Sequence, residues 1–137
     1  MRARAVRPPP FDERFAAIVP RHEHVLTHAT HLFADLIGVS TELLSDTDLI
    51  RGVLIAGASA AALTPNGIPA VHTPTGPERS VVLIVSGGHI AAHTFPERQL
   101  LLLDVLCDSR HDPRRVLDVV ARRLPTRDIR SETRSRS

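Results

Sequence analysis

Residues Ser80–Glu97 read SVVLIVSGGHIAAHTFPE, and no other stretch of the chain says as much about its fold. The unbroken apolar run Val81–Val85 has the length and the β-branched content of a buried strand. Ser86 and two consecutive glycines follow the run, which indicates a bulge or a turn. We therefore predict a strand from Ser80 to the end of this run, with His89 and His93 on extended or turning backbone just beyond it.

Four further segments have the composition of strands. Each is short, apolar or rich in β-branched residues, and bounded by glycine, proline or aspartate. They are the second half of 24–35, then 68–73, 100–107 and, as an edge strand, 126–133.

Two segments have the spacing of helices. In the first, Asp46 or Asp48 is expected to cap the N-terminus, and the helix should end within 57–62. Asp112-Pro113 opens the second helix, and a proline ends it. The order β-α-β-β-β-α-β predicts an α+β fold, a two-layer sandwich with a largely antiparallel sheet and helices on one face.

The length of 137 residues suits one domain. We expect a disordered or loosely attached arm over 1–20, a folded domain over 21–133 and a disordered tail over 134–137. The N-terminus lacks the apolar stretch of a secretory signal, and no apolar run is long enough to span a bilayer. A cytoplasmic protein without a membrane partner is expected.

All 17 basic residues are arginine, and the net charge is only +2. The absence of lysine excludes an internal aldimine with pyridoxal phosphate and the lysine of a phosphate-binding loop. The arginines concentrate at the two termini, where no aromatic residue is interleaved for base stacking. Solvated termini are therefore expected rather than a nucleic-acid site.

His89 and His93 would suit a metal ion if they lay on a helix. They follow a predicted strand, and histidines clustered near an amino terminus are usually surface residues, so we predict no metal site. A third ligand would have to come from His22, His24, His28 or His31.

Three blocks of sequence together resemble one family. THLFADLIGVSTELL (30–44), SVVLIVSGGHIAAHTFPE (80–97) and LLLLDVLC (100–107) are similar to the bacterial S-adenosylmethionine decarboxylases, the small pyruvoyl enzymes of polyamine synthesis. The resemblance covers about residues 26–133, and it implies the two-layer sandwich and a homodimer. It also implies a self-made cofactor: a serine hydroxyl attacks the preceding carbonyl, and elimination from the ester leaves an amino-terminal pyruvoyl group that serves as an electron sink.

The family's processing triplet Glu-Ser-His falls on Gly87-Gly88-His89 of this chain. Gly88 stands where the family has its serine, and it has neither a hydroxyl nor a Cβ. The resemblance therefore comes with the expectation that pyruvoyl is absent and that the protein has no cofactor. Ser86 is an alternative processing residue, but along an extended strand it would lie about 7 Å from the required position.

Other parts of the family's site are present. The resemblance assigns Ser80 and His93 to processing or acid–base steps, Glu97 to the ribose hydroxyls and Cys107 to proton donation. The link from Asp104 to Cys107 is one residue shorter than the usual Asp-Val-Phe-Thr-Cys. From the residues alone, Cys107 could equally be core and Glu97 a solvated loop carboxylate.

A further departure from the family concerns the ligand. The family's adenine-stacking aromatic residue falls on Pro74, and the chain has no Trp or Tyr. Only phenylalanines remain for stacking. They are Phe11, Phe15, Phe33 and Phe95. We predict that the substrate-binding residues are Glu97, His89, Gly88 and Phe95.

Three functions stay open. In the first, the chain is a repurposed lyase, isomerase or cyclase acting on a small polar substrate derived from an adenosyl compound or an amino acid, with Ser80, His93 and Cys107 as catalytic residues. In the second, it is a catalytically inactive homologue that binds a ligand or forms a heterodimer with an active decarboxylase. In the third, it is a decarboxylase processed at Ser86. The joint presence of His93, Glu97 and Cys107 favours the first.

Overall fold

The computed structural model describes residues 29–137, which form a six-stranded sheet and three α-helices. The arm expected over 1–20, and the start of the expected domain up to residue 28, lie outside the described residues. The strands are β1 (Ala29–Ile37), β2 (Ala70–His72), β3 (Arg79–Val85), β4 (Gly88–Phe95), β5 (Leu100–Asp108) and β6 (Asp128–Arg136). The helices are α1 (Thr41–Ser45), α2 (Thr47–Ala60) and α3 (Arg114–Arg123), and a 3-10 turn spans Pro96–Arg98.

The sheet has the order β2-β3-β4-β5-β1-β6, and every neighbouring pair is antiparallel. Alternate residues of the central strands are buried beneath the helices; in β5, Leu101, Leu103 and Val105 are at most 1% exposed. A period of two gives the sheet one covered face and one uncovered face. The predicted α+β two-layer sandwich with helices on one face is confirmed.

Side-chain caps set where the first two helices begin. Asp46 separates α1 from α2, because its carboxylate accepts a hydrogen bond from the Leu49 backbone N–H at 3.0 Å. Ser40 caps α1 through the N–H of Leu43. The predicted cap at Asp46 is confirmed, and α2 ends within the predicted interval. No helix of residues 29–137 is long and apolar enough to cross a membrane.

Strand β4 is missing from the predicted order. After the two glycines the sequence indicates only extended or turning backbone, whereas the chain forms a full strand between β3 and β5. Glycine and alanine have weak strand propensity, so the composition of this segment hides the strand. Pairing on both sides forms it: His89, for example, lies opposite Ile84 on β3 and Leu106 on β5.

Strand β6 is the predicted edge strand, and it is longer than expected. It continues through Arg136, so residues 134–136, expected in the tail, belong to the sheet. This polar segment has no apolar pattern that would predict a strand. It is held by pairing with the whole of β1, from Ala29 opposite Arg136 to Ile37 opposite Asp128.

Candidate functional site

The face of the sheet that the helices leave uncovered, called the open face below, carries polar side chains among apolar ones. Directly opposed residues of antiparallel strands point to the same side of the sheet. His89 of β4, Leu106 of β5 and His31 of β1 form one row across the open face, and His93 lies opposite Leu102 in another. The register of the strands therefore gathers histidines from distant parts of the sequence.

Asp104 of β5 lies between His31 and His89 and binds both. Nε2 of His31 is 2.5 Å from one carboxylate oxygen, and Nε2 of His89 is 2.8 Å from the other. Because an ionised carboxylate only accepts hydrogen bonds, each ring donates from Nε2–H, and each Nδ1 remains available to other groups. The three side chains, called the His–Asp–His cluster, are 24–35% exposed and so lie partly screened from water.

The cluster keeps Asp104 ionised. Partial burial by itself raises the pKa of this carboxyl group, but hydrogen bonds from His89 and His31, together with the charges of these rings, outweigh it. The net result is a pKa below the ordinary value of 3.8. Asp104 is therefore suited to orienting two imidazoles and unsuited to donating a proton near neutral pH.

Ser80 and His93 form a second hydrogen-bonded pair on the open face. They lie directly opposite each other on β3 and β4, and Ser80 Oγ is 2.8 Å from His93 Nδ1. This bond leaves Nε2 of His93 as the ring nitrogen that can exchange a proton with a ligand. The structure thus brings these two predicted site residues together, while their catalytic roles stay predictions.

A groove of about 520 Å³ is bordered by His89 and Asp104 of the His–Asp–His cluster and by His93 of the Ser80–His93 pair. Its volume is typical of a small-molecule site. Apolar side chains form much of its surface, and a few polar groups converge on it, which suits a small ligand with a polar or charged end. The groove is lined by Phe33, Ala34, Asp35, Val82, Ile84, His89, Ala91, His93, Leu102, Leu103 and Asp104.

Cys107 lies on the opposite side of the sheet from His93. Its side chain is fully buried in the core, and its thiol donates only a long hydrogen bond, 3.8 Å, to the carbonyl of His111. Burial raises the pKa of the thiol to about 11. On a continuous strand, residues three apart such as Asp104 and Cys107 face opposite sides. The structure therefore does not bring Cys107 together with His93 on the open face, and the catalytic role of Cys107 stays a prediction.

Asp108 takes the open-face position four residues after Asp104. Its carboxylate accepts hydrogen bonds from Arg110 and from Nδ1 of His111 at 3.0 Å. The hydrogen bond from Arg110 is the main reason that the pKa of Asp108 falls to about 2. The Asp108 carboxylate is therefore ionised near neutral pH, and its charge is paired with that of Arg110.

Gly88 begins β4, where its backbone closely approaches that of β5. A Cβ built on this residue would lie 2.6 Å from the carbonyl carbon of Leu106 and nearer still to its oxygen. The β4 and β5 backbones therefore leave no room for a side chain here. Gly88 is not among the residues that line the groove, and its place among the substrate-binding residues stays a prediction.

Ser86 and Gly87 form the tight turn that joins β3 to β4. Gly87 has a φ of 81°, which favours glycine, and the expected bulge or turn is confirmed as a turn. Ser86 is exposed in this turn and does not lie on an extended strand with position 88, so the expected separation of about 7 Å along such a strand is not the one found.

The other predicted binding residues lie toward the far end of β4 from His89. Phe95 is half-buried at the end of the strand, and Glu97 is exposed in the 3-10 turn that follows. Neither residue lines the groove. The structure therefore brings His89 and His93 to the groove and leaves Phe95 and Glu97 outside it.

A metal site would need a third ligand beside His89 and His93. His31 lies on the same face as His89, but both rings form hydrogen bonds to the carboxylate of Asp104. Within residues 29–137, no group of three His, Cys, Asp or Glu side chains is placed to hold a metal ion. His22, His24 and His28 lie outside the described residues.

Two members of the site were missed or misassigned from the sequence. Asp104 was not given a role, and His31 was considered only as a metal ligand. The available signal was alternation: His31, Phe33 and Asp35 occupy the positions of β1 between its buried residues, and Asp104 interrupts a leucine run. A charge in an apolar strand indicates a partner across the sheet.

Comparisons with known proteins identify the family. The S-adenosylmethionine decarboxylase family profile matches residues 30–137. An arginine decarboxylase proenzyme from Aeropyrum pernix is 30% identical over 112 residues, 78% of this chain and 82% of that protein. An S-adenosylmethionine decarboxylase proenzyme from Brevibacillus brevis is 31% identical over 94 residues, 67% of this chain and 69% of that protein. The crystal structure of the adenosylmethionine decarboxylase from Aquifex aeolicus matches with a TM-score of 0.69 at 25% identity, covering 77% of this chain and 88% of that one. This chain therefore belongs to the S-adenosylmethionine decarboxylase family.

Proposed function

We propose that the chain is a cytoplasmic enzyme that keeps the fold of its family, forms no pyruvoyl group at Gly88, and performs acid–base chemistry in the open-face groove. The reaction is a lyase, isomerase or cyclase step on a small polar substrate. The observation that carries the proposal is the groove itself, which places two separately hydrogen-bonded imidazoles, His89 and His93, on one volume of small-molecule size.

Imidazole suits this chemistry because its ordinary pKa lies close to neutral pH. Ser80 fixes the ring of His93 through Nδ1, and Asp104 fixes the ring of His89 through Nε2. Two carboxylates, Asp35 and Asp104, give the groove negative charge. A cationic substrate, with an amine, guanidinium or sulfonium group, fits this charge. The names of the relatives agree with such a class, since arginine and S-adenosylmethionine both carry positive groups.

The residues of this chain do not fit the pyruvoyl group that the family implies. The serine position holds Gly88, which has no oxygen to attack the preceding carbonyl, and the Leu106 carbonyl fills the space that a side chain would need. Cys107, the implied proton donor, lies in the core on the other side of the sheet. The proposed reaction therefore uses no cofactor made from position 88.

A decarboxylase processed at Ser86 is the second candidate. It is favoured by the description of the relatives as decarboxylase proenzymes. Ser86 has the required hydroxyl, and it is exposed in the turn after Val85. Processing there would break the chain between these two residues.

Denaturing mass spectrometry of the purified full chain separates the two candidates. We expect one intact polypeptide of 15.0 kDa, because Gly88 has no group from which an ester could form. Two fragments, of which the carboxy-terminal one begins with an α-keto acyl group, would contradict the first proposal and support processing at Ser86.

Replacing His93 by alanine tests the acid–base role. With S-adenosylmethionine or arginine as the substrate and mass spectrometry of the products, we expect turnover to fall by about 10²–10⁴-fold, the usual contribution of a positioned acid or base. Ser59→Ala is the control, since Ser59 is exposed on α2, away from the open face. Turnover that survives His93→Ala would contradict the role of His93. Binding of either compound without turnover by the wild-type chain would favour the inactive homologue.

A further inference from the structure

A second groove lies in the helix layer, between the last turns of α2 and α3. Ala56 and Ala60 line it from α2, and Val119, Arg122 and Arg123 line it from α3. Residues three and four positions apart share one face of a helix, so each set forms a continuous wall. The groove has a volume of about 410 Å³, which is enough for a small molecule. We call it the helix-layer groove.

Close packing beside the groove holds its two walls at a fixed distance. Gly57 of α2 and Val116 of α3 are both buried where the helices meet. A Cβ built on Gly57 would lie 2.9 Å from Cγ1 of Val116, so a larger residue would push the helices apart or displace this side chain. Beyond this contact α2 presents only the methyl groups of Ala56 and Ala60. The space beside the arginines therefore stays open.

Arg122 and Arg123 bring two exposed guanidinium groups to this groove. Within residues 29–137, neither group lies within ion-pair distance of a carboxylate. Arg122 donates from Nε to the backbone carbonyl of Asp118 at 3.3 Å, which orients its guanidinium group and leaves both terminal nitrogens free. Other arginines in the described part of the chain do form ion pairs, namely Arg51, Arg110, Arg130 and Arg134.

Capping of the helix ends does not account for this arrangement. The carbonyl groups of Gly57 and Ala58, at the end of α2, accept hydrogen bonds from backbone N–H groups that follow the helix. The carbonyl of Val120, near the end of α3, does the same. A positive charge near a helix C-terminus is favourable, but it does not require the side chain to bond the last carbonyls. The donors of both arginines therefore remain available to a ligand.

We propose that the helix-layer groove binds the phosphate group of a small molecule. A guanidinium group is planar and presents paired N–H donors that match two phosphate oxygens, so two neighbouring arginines can hold one phosphate from two sides. No carboxylate lines the groove to repel an anion. A carboxylate ligand has two oxygens and would occupy only one of the two guanidinium groups. Phosphate therefore uses the available donors more fully.

The floor of the groove suits an apolar group attached to the phosphate. Val119 is only 7% exposed, and it is flanked by the two alanines of α2. A compact apolar group placed on this floor would lose contact with water while the phosphate stays at the arginines. The source of the phosphate is then a phosphomonoester, and inorganic phosphate is the alternative source of the same chemistry. This site does not depend on the reaction proposed for the open-face groove.

Titration of the isotope-labelled full chain, followed through backbone amide chemical shifts, tests the site with inorganic phosphate and phenyl phosphate as probes. We expect shifts in residues 56–60 and 119–123, with a Kd on the order of 1 mM, because the guanidinium groups are exposed and screened by salt. Tighter binding of phenyl phosphate would identify a phosphomonoester as the source, and tighter or equal binding of inorganic phosphate would identify the free ion. Unchanged shifts in both segments with both probes would overturn the proposal.

Two double variants separate a built site from general attraction to a basic protein. Arg122→Gln/Arg123→Gln should weaken binding by about tenfold or more, because it removes both pairs of charged donors. Arg114→Gln/Arg115→Gln is the matched control, since it removes the same charge from exposed positions at the other end of α3. The control should bind within about twofold of wild type. Equal weakening in both variants, or none in the first, would refute the site.

Discussion

Replacing Gly88 by alanine is expected to destabilise the protein by roughly 3 kcal/mol or more, because a clash with backbone cannot be relieved by a rotamer change. The added Cβ would lie 2.6 Å from the carbonyl carbon of Leu106 and closer to its oxygen. Strands β4 and β5 would have to separate at the centre of the sheet, beside His89 and the His–Asp–His cluster. The measurement is the free energy of unfolding from urea denaturation of the full chain.

Gly52→Ala is the matched control for this change. Gly52 lies on the exposed side of α2, away from both ends of the helix, and a Cβ there would meet nothing within 4 Å. Alanine should therefore stabilise the helix by about 0.5–1 kcal/mol. A Gly88→Ala protein as stable as wild type would show that β5 can move away from position 88. In that case Gly88→Ser could hold a serine in the family's position, because the β5 backbone would no longer exclude a side chain there.

The sequence predicts the strands that have a strongly apolar composition of their own. It misses the strand that forms because of pairing with its neighbours. The apolar run Val81–Val85 and the leucine run of β5 fix two strands through burial. Asp46 fixes the start of α2 because its cap is a local interaction. Strand β4 and the last residues of β6 are extended because of pairing across the sheet. Neither has a local pattern that shows it.

The candidate site follows the same division. The resemblance names Ser80 and His93, which the structure places opposite each other. The bonds of Asp104 depend on the register of β5 with β4 and β1, which no local pattern specifies. Cys107 shows the opposite case, since a link one residue shorter than the family's turns its side chain to the other face. The shorter link is visible in the sequence, and the period of two along a strand predicts that reversal.

Replacing Asp104 by asparagine is expected to lower the free energy of unfolding at pH 7 by about 2–3 kcal/mol, the range for losing hydrogen bonds to a charged group. Asparagine keeps the size but offers one acceptor, so either His31 or His89 must face an amide NH₂. Asp35→Asn is the control, because Asp35 is an exposed carboxylate on the same face of β1. That change should alter the stability by less than about 0.5 kcal/mol.

The pH dependence of the Asp104→Asn effect identifies its electrostatic origin. The folded state lowers the pKa of Asp104 below 3.8. At pH values near 3.8 the folded chain therefore binds fewer protons at this carboxyl group than the unfolded chain does. Its contribution is thus fully present above the ordinary carboxyl pKa, and it is lost as the pH falls through the lower folded-state pKa. The difference in unfolding free energy between wild type and Asp104→Asn should therefore shrink as the pH falls below about 4. A difference that stays the same down to pH 3 would mean that Asp104 contributes by packing, and that the two imidazoles do not depend on its charge.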